Sequence, residues 1–295
     1  MGLCQHLPHG DRRLTKSNAT TTDLKLANIE QAASVIDPVF RDSPQFVDEQ
    51  LCATLGRRTI VKVETANPIR SFKGRGADFL VRTLDPKMKV VCASAGNFGQ
   101  AIAYAGRSRA MAVEVCVPTD VNPSKLTRMK SLGAMVTIAG ADCDAAKQHA
   151  RRRAREQSGC VFVEDGADPA ASEGAGTIGL ELLRTGNIDT IVLPVADGAL
   201  ITGVATWVKQ QSPETKIIGV CATGAPAMAA SWRANRLRRR KPLPSRMELR
   251  SVFPSSDPWN ECAPSWMTWS SSMTRNCSTQ CNWPLPRWAL FWSLP

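Results

Sequence analysis

The 295-residue chain contains no run of about 18 consecutive apolar residues, so no membrane-spanning helix is expected. Its first 20 residues are polar and mixed and lack the apolar middle of a secretory signal. Residues 1–23 therefore read as a loose arm, and the protein as cytoplasmic, with no membrane among its partners. The ten cysteines form no CxxC pair and show no His clustering of the kind that holds zinc, so no zinc site, and no metal, is expected. Cys92, Cys116, Cys160 and Cys221 sit inside or beside apolar strand-like runs and read as buried thiols of a reducing compartment. No internal repeat is visible.

Acidic residues are also scarce: 37 Lys+Arg stand against 26 Asp+Glu, a net charge of +11. Such a balance suggests a nucleic-acid partner, but its distribution argues otherwise. Residues 231–295 hold ten basic and three acidic residues, a net of +7; the other 230 residues hold 27 and 23, a net of +4. The basicity belongs mostly to the tail, where Arg238, Arg239, Arg240 and Lys241 form a run. A nucleic-acid-binding protein would rest on that tail alone, and no nucleic acid is expected as a partner.

What is present, from Leu24 to about Gly224, is an alternation of two periods. Leu26, Ile29, Ala33 and Ile36 recur at helical spacing. Apolar, β-branched runs lie at 59–63, 90–93, 112–117, 135–139, 160–163, 190–193 and 216–221. Helical stretches at 99–109, 123–132, 144–157, 177–183 and 199–209 separate most of them. Strands spaced by such helices predict parallel sheets with right-handed crossovers, an α/β fold.

Three strand-to-helix junctions carry residues suited to chemistry. The first runs from Asn67 to Ala77 and holds Lys73 between Phe72 and Gly74. A Schiff-base lysine needs a rigid junction, and adjacent glycines let a flat ring approach the backbone. By itself Lys73 reads equally well as an exposed lysine at a helix start. The second junction is Cys92 to Gln100; Ser94 and the backbone N–H groups of a helix N-terminus there make a carboxylate cradle, or an ordinary Asn/Gly turn. The third, Val192 to Gly203, runs through small residues into a helix, which suits a phosphate, although it is neither a Walker motif nor a dinucleotide fingerprint.

Taken together, in this order and spacing, SFKGRGA, SAGNFGQ and PVADGALITGV resemble the pyridoxal 5'-phosphate (PLP) enzymes of the tryptophan synthase β-like fold, and within them the threonine/serine dehydratases. The resemblance covers about Leu24 to Trp232. It implies two open, twisted α/β domains: a large PLP-binding domain over 24–84 and 166–232, and a small domain over 85–165, with PLP between them. It implies that Lys73 carries the cofactor and later moves the substrate's Cα proton, that Phe72 flanks the ring, and that Asn97 meets the ring hydroxyl. Ser94, Ala95, Gly96 and Asn97 would receive the substrate carboxylate; Asp197, Gly198, Ala199 and Leu200 would wrap the phosphate. Many relatives have a run of glycines there, from which Ala196 and Ala199 depart. Glu173 and Glu181 read as structural. The implied reaction removes water and ammonia from threonine or serine to leave a 2-oxo acid. An inactive relative, an amino-acid racemase or a β-replacement enzyme share the architecture and stay as alternatives. A small amino acid is the implied partner, and a homodimer when the C-terminal segment is intact.

After Trp232 the composition changes. Six of the eight tryptophans fall between Trp259 and Trp292, among many Ser and Pro, with no sustained period. Taking the last base of each codon with the first two of the next, several results are forced by the genetic code: Trp266–Met267, Met267–Thr268 and Met273–Thr274 give Asp, Asn276–Cys277 and Asn282–Trp283 give Leu, and Trp288–Ala289 gives Gly. With permitted codons elsewhere the shifted frame reads as an apolar strand, an acidic cap and an amphipathic helix similar to the dehydratase C-terminus. Residues 233–295 are accordingly expected to be an irregular, out-of-frame tail, and the chain as written to lack part of its large domain.

Overall fold

In the computed structural model, residues 24–222, 228–229 and 247–251 are described. The expected N-terminal arm and all of the tail beyond 232 except 247–251 lie outside them. The chain opens with α1 (Leu26–Val35), a single 3₁₀ turn (Pro38–Phe40), β1 (Gln45–Val47), α2 (Glu49–Leu55), β2 (Ile60–Lys62) and α3 (Lys73–Arg82). β1 and β2 pair antiparallel.

Then follow β3 (Lys89–Ala93), α4 (Asn97–Arg107), β4 (Val113–Val117), α5 (Pro123–Ser131), β5 (Met135–Ile138), α6 (Cys143–Glu156) and β6 (Cys160–Val163). These four strands make a parallel sheet in the order β5-β4-β3-β6. The helices start where caps dictate. Asn122 accepts from Ser124 N ahead of Pro123, and Asp142 accepts from Ala145 N at the head of α6. Val90, Cys92, Val115 and Val117 pack towards Ile102 of α4 and Met129 of α5, while Val91 and Cys116 face Ala150 of α6. Both sheet faces are thus covered, as parallel strands require.

The chain continues through α7 (Pro169–Leu183), β7 (Thr190–Pro194), α8 (Ala199–Gln211) and β8 (Lys216–Cys221). β9 (Met247–Ser251) then joins β8 in parallel, giving a second sheet in the order β7-β8-β9. The expectation of irregular chain throughout the tail does not hold for residues 247–251. Ladder pairing uses backbone groups, which any sequence free of proline supplies, and β8 offers an open edge for them. Ile178 and Leu182 of α7, Ile201, Val204 and Val208 of α8, and Ile191, Leu193 and Ile217 of the strands form the second core.

α7 begins at Pro169, eight residues before the expected start at 177. Glycines hid its first half, and packing is why they are there. A Cβ on Gly76 of α3 would sit 2.2 Å from the Ala171 carbonyl oxygen of α7, and one on Gly203 of α8 would sit 1.9 Å from that of Ser172. The three helices meet backbone to backbone. A buried ionic cluster fixes their register. Arg75, fully buried on α3, donates to both oxygens of Glu64 and of Glu181 and to Thr177 Oγ1, while Lys62 Nζ lies 2.7 Å from Glu181. Two cations balance two carboxylates, so no buried charge is left uncompensated. Glu173 accepts from Lys25 N and Asn28 Nδ2, tying α1 to α7. Both glutamates take the structural role expected of them.

Six cysteines fall within the described residues, all with free thiols; Cys92, Cys116 and Cys221 are buried and Cys160 is half-buried. No helix among the described residues is long and apolar enough to cross a membrane.

Candidate active site

Lys73 is the first residue of α3, and the loop before it is tightly specified. Asn67 Oδ1 accepts from Ile69 N, and its Nδ2 donates to the Glu64 carbonyl, which folds the turn; Ser71 Oγ accepts from Lys73 N. Arg70 takes a left-handed conformation (φ 56°) to complete it. The side chain that emerges is largely buried. Its Nζ lies 2.7 Å from Asp165 Oδ2 and 2.6 Å from Asp197 Oδ2, and 4.9 Å from the centroid of the Phe72 ring.

Asp165 stands just past the end of β6, Asp197 just past the end of β7, and Lys73 between them. The carboxyl ends of both parallel sheets therefore meet at one ammonium, where open α/β folds place their ligands. Burial works against the charge of Lys73, but Asp165 and Asp197 outweigh it and hold its pKa above the usual lysine range. Burial, reinforced by the neighbouring Asp197, pushes Asp165 up to about 7 in spite of Lys73. Burial acts on Asp197 in the same sense, yet Lys73 prevails there and keeps it below the ordinary carboxylate range. One ammonium cannot neutralise two half-buried carboxylates: Lys73 keeps Asp197 ionised, while Asp165 is raised to where it holds a proton near neutrality.

Beside Lys73 and Asp165 of this triad lies a small cavity of about 10 Å³, lined also by Phe72, Gly76, Ala77, Phe98, Ala171, Ala175 and Ala199. The third junction behaves as a helix entry. Gly198 adopts φ 96° and caps α8, and Asp197 Oδ1 accepts from Ala199 N at 3.0 Å. The Leu200 side chain is buried in the second core, which leaves only its main chain to face a ligand. At the second junction Ser94 Oγ accepts from Gly96 N, and Asn97 starts α4. No hydrogen bond or ion pair joins Ser94, Ala95, Gly96 or Asn97 to Lys73; Phe98, the next residue, lines the same cavity. A larger open groove of about 430 Å³ runs along α6 and β6 past Arg151, Arg155, Phe162 and Glu164, and holds none of the three junctions.

The pyridoxal-phosphate dependent enzyme family model matches residues 40–260. The chain belongs to this family. It is 34% identical to the L-threonine ammonia-lyase of Thermotoga maritima over 220 residues, 73% of this chain and 55% of that protein. Among solved structures it is similar to the processed form of threonine deaminase isoform 2 from Solanum lycopersicum (TM-score 0.64, 34% identity, 72% of this chain and 65% of that one). It is also similar to maize serine racemase (TM-score 0.67, 27% identity, 77% of this chain and 68% of that one). The chain spans only a third to a half of the first curated relatives, 33% to 55%. The fold is the tryptophan synthase β-like α/β fold of PLP enzymes.

The family's cofactor is PLP, and the site's donor set fits it. A buried amine sits at a junction flanked by glycine, beside an aromatic ring, and α8 directs its N-terminal N–H groups at the same place. Space at Gly96 is open, with nothing within 4 Å of where a Cβ would stand. At about 10 Å³ the cavity is far smaller than the roughly 300–1,000 Å³ of ligand pockets, so the Lys73 and Asp197 side chains must part to admit the group. Asp165 was missed by sequence reading. The available signal was the acidic pair Glu164-Asp165 directly after the end of a parallel strand.

Proposed function

We propose that this chain carries the active site of a PLP-dependent lyase that takes water and ammonia from threonine or serine and leaves a 2-oxo acid. The observation that carries the reading is Lys73, a buried amine where the carboxyl ends of both sheets converge, with Phe72 beside it and the start of α8 opposite. PLP, when bound, supplies the electron sink for the substrate's Cα carbanion. The protein's part is to hold and move protons. Lys73 Nζ, once parted from its carboxylates, is the base for the Cα proton. The Ser94–Asn97 turn offers N–H donors and the Ser94 hydroxyl to the substrate carboxylate, and Asn97 meets the ring hydroxyl. Gly198, Ala199 and Leu200 offer main-chain N–H groups to the phosphate. Free thiols among the described cysteines agree with a cytoplasmic location, and a homodimer is the expected assembly when the C-terminal segment is intact. We place the small domain at residues 85–165, the span that holds the β3–β6 sheet, and the large domain at 24–84 and 166–232.

Borohydride reduction in the presence of PLP is expected to label the peptide containing Lys73; labelling elsewhere, with none at Lys73, would end the assignment. A panel of hydroxy-amino acids assayed for 2-oxo acid release fixes the substrate. Because serine racemase is among the structural neighbours, the same assay should follow racemisation: inversion without 2-oxo acid would move the activity to that class.

A further inference from the structure

We propose that Asp197 is a built-in competitor for the cofactor's phosphate, so that phosphate recognition and the parting of Asp197 from Lys73 are a single event. The inference rests on reading the Lys73 site as the PLP site. α8 has 13 residues, and the first N–H at its N-terminus, that of Ala199, is already taken by Asp197 Oδ1 at 3.0 Å. The other oxygen of the same carboxylate lies 2.6 Å from Lys73 Nζ. One anionic side chain thus bridges the phosphate-binding helix end and the reactive amine. Helix N-termini stabilise negative charge, and here a residue of the chain supplies it.

A phosphate brought to the start of α8 meets that half-buried carboxylate at close range. Among the described residues, Lys73 is the one cation in an ion pair with either Asp165 or Asp197, so no second described ion pair offsets the repulsion. Phosphate can take the Ala199 N–H only if Asp197 gives it up. The αL turn at Gly198 (φ 96°) lets the carboxylate swing without moving the helix. In swinging, Asp197 leaves Lys73 as well. A ligand carrying the aldehyde without the phosphate lacks the group that would drive the exchange.

The experiment compares PLP with pyridoxal, which lacks the phosphate, on the full chain and on Asp197→Gly and Asp197→Asn. Asp197→Asn keeps an oxygen for the Ala199 N–H, so it guards against a fold defect in the glycine variant; melting curves of both variants are recorded. Binding is followed by absorbance and by borohydride labelling of Lys73. Removing the carboxylate leaves Lys73 with Asp165 alone, equally for either ligand, so the ratio of the two affinities isolates the phosphate. That preference for PLP over pyridoxal is expected to rise on the order of tenfold in both variants. Inorganic phosphate is expected to raise the melting temperature of the variants and not of the parent chain. A ratio unchanged within about twofold, or a fall in PLP affinity, would overturn the competitor role while leaving the lyase reading in place. Failure of parent and variants alike to label at Lys73 would overturn both.

Discussion

In β4 every residue from Val113 to Val117 is buried, whereas in β7 burial alternates: Ile191 and Leu193 are inside, and Thr190 and Val192 are exposed, Val192 at 55%. β8 repeats the alternation, with Ile217 buried and Ile218 and Val220 half-buried. Yet both sheets are written alike, as apolar runs without a polar face. Such runs suit parallel strands covered on both sides. The first sheet has α4 and α5 on one face and α6 on the other. The second has α7 and α8 on one face, and among the described residues no helix covers the other. β9 lengthens that sheet at its edge and covers neither face. The difference teaches that TIVLP and KIIGVC carry apolar side chains for a layer that residues 24–222 do not supply, which is what an out-of-frame tail would cause. Full burial of a Val or Ile side chain is worth about 1.5–3 kcal/mol, so Val192, Ile218 and Val220 together weigh against a typical net stability of about 5–15 kcal/mol.

The strongest way to break the comparison is to restore the frame after about residue 232. The restored chain is expected to melt on the order of 10 °C higher than the 295-residue chain, and to hold more PLP and turn over faster. Equal melting, occupancy and turnover would show that the tail is genuine. A sharper test sets one face of the second sheet against the other. Ile217→Ala, on the covered face, is expected to cost about 2–5 kcal/mol in chemical denaturation, and Val192→Ser less than about 0.5 kcal/mol in the present chain. In the restored chain the Val192 substitution should become costly. Similar costs for both in the present chain would contradict the one-sided description.

The smallest expected effect concerns the point where the two sheets converge. Asp165 has a folded pKa raised to about 7, above its unfolded range, because burial and Asp197 disfavour its charge. The folded chain therefore holds a proton that the unfolded chain releases between about pH 4 and 7, and this stabilisation fades as the pH rises through that window. The fall in melting temperature from pH 5 to pH 8 should shrink in Asp165→Asn; an unchanged fall would mean that Asp165 ionises normally.

Much of this architecture was legible in the sequence because the elements between 89 and 221 are long enough to show a period. α4 to α6 and β3 to β8 fall within about two residues of their expected ends. The misses have physical causes. α2 has no buried residue, so it has no apolar stripe; it exists through the Asp48 cap and the left-handed Gly56 at its end. β1 is three residues long. At the site, Lys73, Phe72 and Asp197 announced themselves through motifs and do come together. The triad did not, because Asp165 is contributed from 92 residues away by the end of a different strand. Nor does the loop sequence say where a carboxylate will point: Asp197 was expected among the residues that wrap the phosphate, and its side chain caps α8 and reaches the lysine.

The hydrogen side chains at Gly76 and Gly203 set a lower bound on how the pocket can be re-engineered. Because α3 and α8 each rest directly on the main chain of α7, the distance from the start of α3 to the start of α8 has no side-chain cushion to trim. It cannot be adjusted by small increments: even one methyl at either crossing forces a whole helix outward, carrying Lys73 or Gly198 with it. Variation that widens or reshapes the cavity must come through loops and strand ends, such as the residues after β6 and β7, while the three-helix seat behaves as a fixed mount.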